Sequence, residues 1–284
     1  MKMRFRSAQT LRLFFCCLMA TLTPSVLHAV DPPLANGGPR KSVKLLTIGN
    51  SYSNNMLSTL PQLSKAGGKE LIVFAANNSG SSLADHAGKL KPGAAQKKGG
   101  EHIDKRQDLA AALASEQWDF VSIQQRSDLS AKAESFQPDG SVLVNAIHKY
   151  VPKAEILAYQ TWSYPKEYIA KRQLSTDPDK MFKEIQAAYQ KFADDSHAKV
   201  VPVGEAFQIA RNQPNPIDLN SGDKHLNQTG QFLAAAVFYE ILFDDSIESN
   251  PYKPNHVSPD DVKTLRHIAH EIATKAKQAA QEKR

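Results

Sequence analysis

The strongest constraint on this chain is an alternation. Five short runs rich in Val, Ile, Leu and Phe, at residues 43–48, 71–75, 120–124, 156–160 and 200–203, are separated by helix-patterned segments near 54–66, 107–115, 140–150 and 180–194. Runs that are apolar nearly throughout, with no polar alternation, predict strands covered on both faces. Strand and helix in turn predict a parallel sheet with its crossover helices split between the two sides. The expected fold is therefore α/β: a three-layer α/β/α sandwich with a parallel, flavodoxin-like five-stranded sheet. Residues 227–243 contain the apolar stretch FLAAAVFYEILF, which predicts a helix packed against the sheet. Ser258-Pro259-Asp260-Asp261 opens a last helix with a hydroxyl cap and a proline in its first turn. Residues 43–284 read as a single domain, preceded by a Pro/Gly-rich linker over 30–42.

In an open parallel sheet, ligands sit beyond the carboxyl ends of the strands. The residues that follow each run are Gly49-Asn50-Ser51-Tyr52-Ser53, Asn77-Asn78-Ser79-Gly80-Ser81-Ser82, Gln124-Gln125-Arg126-Ser127, Thr161-Trp162-Ser163 and Gly204-Glu205. Small and amide side chains recur there, which favours a site. A serine just past a strand and opening a helix can act as a nucleophile, with amides behind it to hold an oxyanion. Ser51 is so placed. Its best base is His225 in Gly222-Asp223-Lys224-His225-Leu226-Asn227, with Asp223 near enough to orient the imidazole. The residues alone leave a second reading open for each, because Ser51 and His225 could simply cap helices.

A resemblance adds to this. LTIGNSYS at the first strand end resembles the first block of the SGNH (GDSL-type) hydrolases, in the variant with GNS in place of GDS. NSGSSLADH resembles the second block, whose glycine falls on Gly80. WDFVSIQQRS resembles the third, TWSYP and VPVGEAF resemble later segments of the GNS-type subgroup, and GDKHLNQTGQFLAAAVFYEILF resembles the last block. The match runs over roughly 43–243, in order. It implies an acyl-enzyme ester hydrolase with Ser51 as nucleophile and His225 as base. The implied oxyanion hole is the Ser51 and Gly80 amides with Gln124, and neither metal nor cofactor is required. Two positions depart from the family pattern. Gly222 stands where the family has an aspartate three residues before the histidine, so the orienting carboxylate falls to Asp223 or, as second choice, Asp218. Gln124 stands where the third block has asparagine, with Gln125 as its alternative.

The N-terminus reads as an export signal. Lys2, Arg4, Arg6 and Arg12 precede the apolar run LFFCCLMATL, followed by Pro24 and by Ala29 as a cleavage-site residue, so residues 1–29 are expected to be a secretory signal peptide. The run is too short to anchor a chain across a bilayer, and no stable membrane insertion is expected after its removal. Both cysteines, Cys16 and Cys17, lie within it. The mature chain then has no disulfide, no thiol nucleophile and no Cys-bound zinc. The net charge of +6 is also concentrated there. Without those four residues the remaining 31 basic side chains face 29 acids, which removes the main argument for nucleic acid as a partner. The expected location is periplasmic or extracellular, and the expected partner a small-molecule or glycan ester.

Other residues have bland and sharp readings. His86 and Gln125 could line the pocket, and Trp162 could stack on a sugar ring or belong to the core. His256, His267 and His270 cluster near the C-terminus, but a solvated helix face explains them better than a metal. Glu205 reads as a first-turn helix acid. Residues 88–106, rich in Gly and Lys, read as a surface loop that could rim the site for an anionic ligand. The rival function is a non-catalytic carbohydrate-binding protein on the same scaffold, supported by the displaced aspartate and the missing asparagine.

Overall fold

A computed structural model describes residues 38–90 and 108–282. The export signal, most of the linker and most of the Lys-rich loop lie outside these residues. Five parallel strands form one sheet in the order β2-β1-β3-β4-β5. They are β1 (Ser42–Ile48), β2 (Glu70–Ala75), β3 (Phe120–Ile123), β4 (Glu155–Tyr159) and β5 (Lys199–Val201). This is the flavodoxin-like order expected from the alternation.

Side-chain alternation along each strand divides the interior into two cores. Val43 and Leu45 of β1, Phe120 of β3, Leu157 and Tyr159 of β4 and Val201 of β5 face one side. Leu46, Ile48, Val121, Ile123, Ile156 and Ala158 face the other. The first core is closed by α1 (Ser51–Leu57), α2 (Leu60–Ala66), α8 (Val203–Arg211), α9 (Gln228–Phe243) and α10 (Pro259–Glu282). The second is closed by α3 (Leu83–Gly88), α4 (Leu109–Ala114), α5 (Asp139–Tyr150), α6 (Lys166–Lys171) and α7 (Pro178–Ser196). Helix α9 is apolar all round because it lies between the sheet and α10, and its Phe232–Phe243 stretch is buried on nearly every side. The Ser258 hydroxyl accepts from the Asp261 amide at 3.0 Å, as its cap position predicts.

The sequence pattern predicts one helix over 54–66, and the structure contains two. Asn50 caps α1 directly after the strand, accepting from the Tyr52 amide at 3.1 Å. The helix then ends at Ser58, and Pro61 in the first turn of α2 restarts the chain in a new direction. This early start places Ser51 at the first residue of a helix, above the carboxyl edge of the sheet.

Candidate active site

The turn that presents Ser51 is built from buried polar groups. Gly49 sits where a Cβ would come within 2.3 Å of Ser53 Oγ and 2.8 Å of Gln124 Oε1, so only glycine fits. The Gln124 carbonyl oxygen accepts from the Asn50 amide and the Ser53 hydroxyl, each at 3.1 Å, and its NH2 donates to the Gln125 carbonyl. His86 Nε2 donates to the Gly49 carbonyl at 2.8 Å from a fully buried ring. Burial lowers the pKa of His86 to about 4, against a smaller upward pull from the Gly49 bond, so the ring is neutral at pH 7. Two hydrogen bonds lash the turn after β2 to this one. Asn50 Nδ2 donates to the Ser81 carbonyl at 3.0 Å, and the Asn78 amide donates to the Gly49 carbonyl at 3.1 Å.

Opposite Ser51 stands the loop between α8 and α9. His225 Nε2 lies 3.1 Å from Ser51 Oγ, and His225 Nδ1 lies 2.9 Å from Asp223 Oδ2. The His225 amide also donates to Asp223 Oδ1 at 2.7 Å, so one carboxylate holds both the ring and the backbone of the same residue. Gly222, at φ +81°, makes the turn that folds Asp223 back over His225. An aspartate two residues before the histidine thereby reaches the same ring nitrogen. Partial burial raises the Asp223 carboxyl, but the bonds from the His225 ring and amide outweigh it and hold the group below its usual range. Asp218 is spent elsewhere, accepting from the Asn220 amide at 3.1 Å. The His225 and Asp223 side chains keep 35% and 48% of their surface exposed, so the pair is reachable from solvent.

Four sequence expectations are corrected by where the side chains go. Gln124 is not exposed at all, and its amide is committed to the turn beneath Ser51, so it does not face an oxyanion. Gln125 is equally interior. It accepts from the Leu83 and Arg126 amides at 3.1 and 2.8 Å and donates to the Ser135 carbonyl at 2.8 Å. His86 supports Gly49 from a fully buried position, with no exposed surface to offer a ligand. Trp162 is fully buried with both faces covered, stacked on Tyr52 at 4.0 Å and on Phe207 at 5.0 Å, so no sugar can lie on it. Its indole N–H instead donates to the Lys224 carbonyl at 3.0 Å, fixing the residue before His225.

The amides of Ser51 and Gly80 remain. Ser51 is the first residue of α1, where a helix leaves its N–H groups without intrahelical acceptors. Gly80 lies in an exposed turn at φ +73°, and among the described residues its amide meets no acceptor.

Several residues that hold His225 and its loop were not singled out from sequence. Asn220 Nδ2 donates to the His225 carbonyl at 3.1 Å, and Asn55 Oδ1 accepts from the Leu226 amide at 3.3 Å. Arg211 reaches from α8 to Asn220 Oδ1 at 2.7 Å and to the Ser163 carbonyl at 2.9 Å. Burial lowers its pKa to about 10, and it stays charged at neutral pH. Among the described residues no His, Cys, Asp and Glu side chains gather as a metal site. His267 and His270 are engaged with Glu248 and Glu240 at 3.1 and 2.9 Å. Glu205 occupies the first turn of α8. Among the same residues no helix is long and apolar enough to cross a membrane.

Comparison with known proteins places this geometry in a family. The family model for a domain of unknown function, DUF4886, matches residues 44–272. The chain belongs to the DUF4886 family. A DUF4886 family protein from Bacteroides uniformis is 28% identical, with a TM-score of 0.73 over 82% of this chain and 95% of its own. A candidate SGNH hydrolase from Slackia heliotrinireducens is 25% identical, with a TM-score of 0.53 over 70% of this chain and 98% of its own. The SGNH/GDSL-like resemblance drawn from the sequence blocks therefore extends to the three-dimensional fold. No curated protein sequence matches the chain.

Proposed function

We propose that this DUF4886 chain is an exported serine esterase that removes short acyl groups, acetyl among them, from a carbohydrate. The observation that carries the reading is the line Ser51 Oγ, His225 Nε2, His225 Nδ1, Asp223 Oδ2, with gaps of 3.1 and 2.9 Å at its two ends. With the Nδ1 proton held by Asp223, the Nε2 lone pair faces the serine and can take its proton.

Ser51 Oγ attacks the ester carbonyl while His225 removes its proton. The carbonyl oxygen becomes an oxyanion, held by the amides of Ser51 and Gly80. Collapse expels the alcohol, which takes the proton from His225, and leaves the acyl group on Ser51. Water, deprotonated by His225, then releases the acid and restores the hydroxyl. No step needs a metal or cofactor. A short acyl group suits a half-buried serine beside a histidine that keeps 35% of its surface exposed. A carbohydrate alcohol suits an exported enzyme that meets polymers outside the cell.

The test is hydrolysis of p-nitrophenyl acetate beside labelling with a fluorophosphonate. The wild type turns over and is labelled once, and Ser51→Ala shows neither while keeping its circular dichroism spectrum and melting temperature. Labelling retained in a folded Ser51→Ala protein would sink the assignment of the nucleophile.

A further inference from the structure

A cleft of about 290 Å3 opens beside the base and is lined by Arg126, Asp128, Tyr164, Tyr168, Arg172, Leu174 and Lys224. Lys224 immediately precedes His225, so one wall of this cleft is carried by the same loop as the histidine. Its charges do not cancel. Arg126 is matched by Asp128 in a two-pronged pair, Nε to Oδ1 at 2.6 Å and Nη2 to Oδ2 at 3.1 Å. Arg172 and Lys224 have no carboxylate partner among the described residues. Among the described residues, Lys224 Nζ donates to the Ser127 hydroxyl at 3.2 Å and lies 5.9 Å from the Tyr164 ring centre. Three cations, Arg126, Arg172 and Lys224, thus share this lining with one carboxylate, Asp128, which is already bound to Arg126, and the cleft keeps a net positive charge.

The rest of the lining is apolar and aromatic. Tyr164 and Tyr168 meet edge to face, their centroids 5.1 Å apart, and Leu174 leaves 39% of its surface exposed there. Tyr164 is itself fixed, its hydroxyl donating to Ser127 Oγ at 3.0 Å. Tyr164 is only 5% exposed and lies beneath, so the apolar surface offered to a ligand is that of the half-buried Tyr168 and of Leu174. Beside the cations it suits a sugar with an apolar C–H face and a carboxylate at its edge. Arg172 supplies a planar fork of the kind that matches a carboxylate. The volume sits at the lower end of ligand sites, which span ~300–1,000 Å3, and suits one sugar unit.

The geometry points to this cleft as the site for an acidic sugar, whose carboxylate pairs with Arg172 and Lys224 while its acylated hydroxyl reaches Ser51. The inference rests on the esterase reading for the ester, but not for the binding of the acid. Binding is therefore measured first, by calorimetry on full-length Ser51→Ala with mono-acetylated methyl glucuronoside and methyl glucoside. The glucuronoside binds about tenfold tighter at low salt, the gain expected of one hydrogen-bonded charge pair. The preference shrinks in high salt. It falls in Arg172→Ala and is partly restored in Arg172→Lys. Turnover of the same two esters by the wild type shows the preference in KM more than in kcat.

Equal binding of the two sugars, or a preference unchanged in Arg172→Ala and in Lys224→Met, overturns the site. Preferential binding without any turnover of either ester keeps the site and removes the esterase. Turnover of both esters at equal kcat/KM, with equal binding, removes the site and keeps the esterase.

Discussion

The serine and the histidine stand 3.1 Å apart, but they are held by different kinds of structure. The serine side belongs to the core. Asn50, Ser53, His86 and Gln124 are all at most 2% exposed, and each hydrogen-bonds within or beneath the turn that presents Ser51. The histidine side is a loop whose backbone is gathered by reaching side chains, Trp162 to Lys224, Asn220 to His225 and Asn55 to Leu226. Buried polar groups that lose a partner destabilise the whole fold, whereas clamps on a half-exposed loop can be released with the sheet intact. The two halves of one site should therefore respond differently to mutation. Damage on the serine side should appear as lost stability, and damage on the loop as lost turnover.

The largest effect that sharpens this contrast comes from the chemistry itself. His225→Ala lowers kcat by ~10⁴-fold or more in a p-nitrophenyl acetate assay, with the melting temperature nearly unchanged. Asp223→Asn follows with a loss of ~10²–10⁴-fold, because the neutral amide no longer holds the ring in the tautomer that faces Ser51. Both sit on the loop side. A large loss of stability in either variant would break the comparison.

On the serine side the readout is unfolding. His86 is held neutral by burial, with its pKa lowered from the usual 6.5 to about 4. A histidine depressed in the folded state binds its proton more readily when unfolded. Its contribution is thus complete above pH ~6.5 and is lost as pH falls through about 4, by ~3 kcal/mol in all. Urea unfolding at pH 7, 5.5 and 4 should show that decline, and His86→Gln should flatten it. Gln124→Leu strands the Asn50 amide and the Ser53 hydroxyl, at about 1–3 kcal/mol each. A Gln124→Leu protein that kept its stability and lost only kcat would show that Gln124 serves the reaction directly.

The same division explains what could be read from the sequence. Strands were legible because both faces are covered, which writes an unbroken apolar run into the chain. Ser51 and His225 were legible because each follows a turn signal at an element boundary. Helices α3 and α6 were not, since each is six residues long and lacks the apolar i, i+3, i+4 spacing that Leu109, Ala112 and Leu113 give the equally short α4. Gln124 and Gln125 were misread for a related reason. Past the end of a strand the in-and-out alternation stops, and a polar residue there points to the ligand side or to the interior with nothing local to decide. Arg211 and Asn220 carry no motif, and their importance exists only once α8 and the loop lie side by side.

Trp162 gives the smallest and most discriminating test, because it joins the two halves. Its ring is clamped between Tyr52, which follows Ser51, and Phe207, while its N–H holds Lys224, which precedes His225. Trp162→Phe keeps an aromatic ring in the stack but releases the Lys224 carbonyl. The loss is one hydrogen bond of about 1 kcal/mol, or roughly fivefold in turnover if it is felt wholly at the base. Because the effect passes through the position of His225, it should fall on kcat for every ester alike, p-nitrophenyl acetate included. A sugar-stacking role would give the opposite signature, a raised KM for acetylated glycans and an unaltered small-ester rate. The buried stack argues for the first result, and steady-state kinetics on the two substrate types separates it from the second.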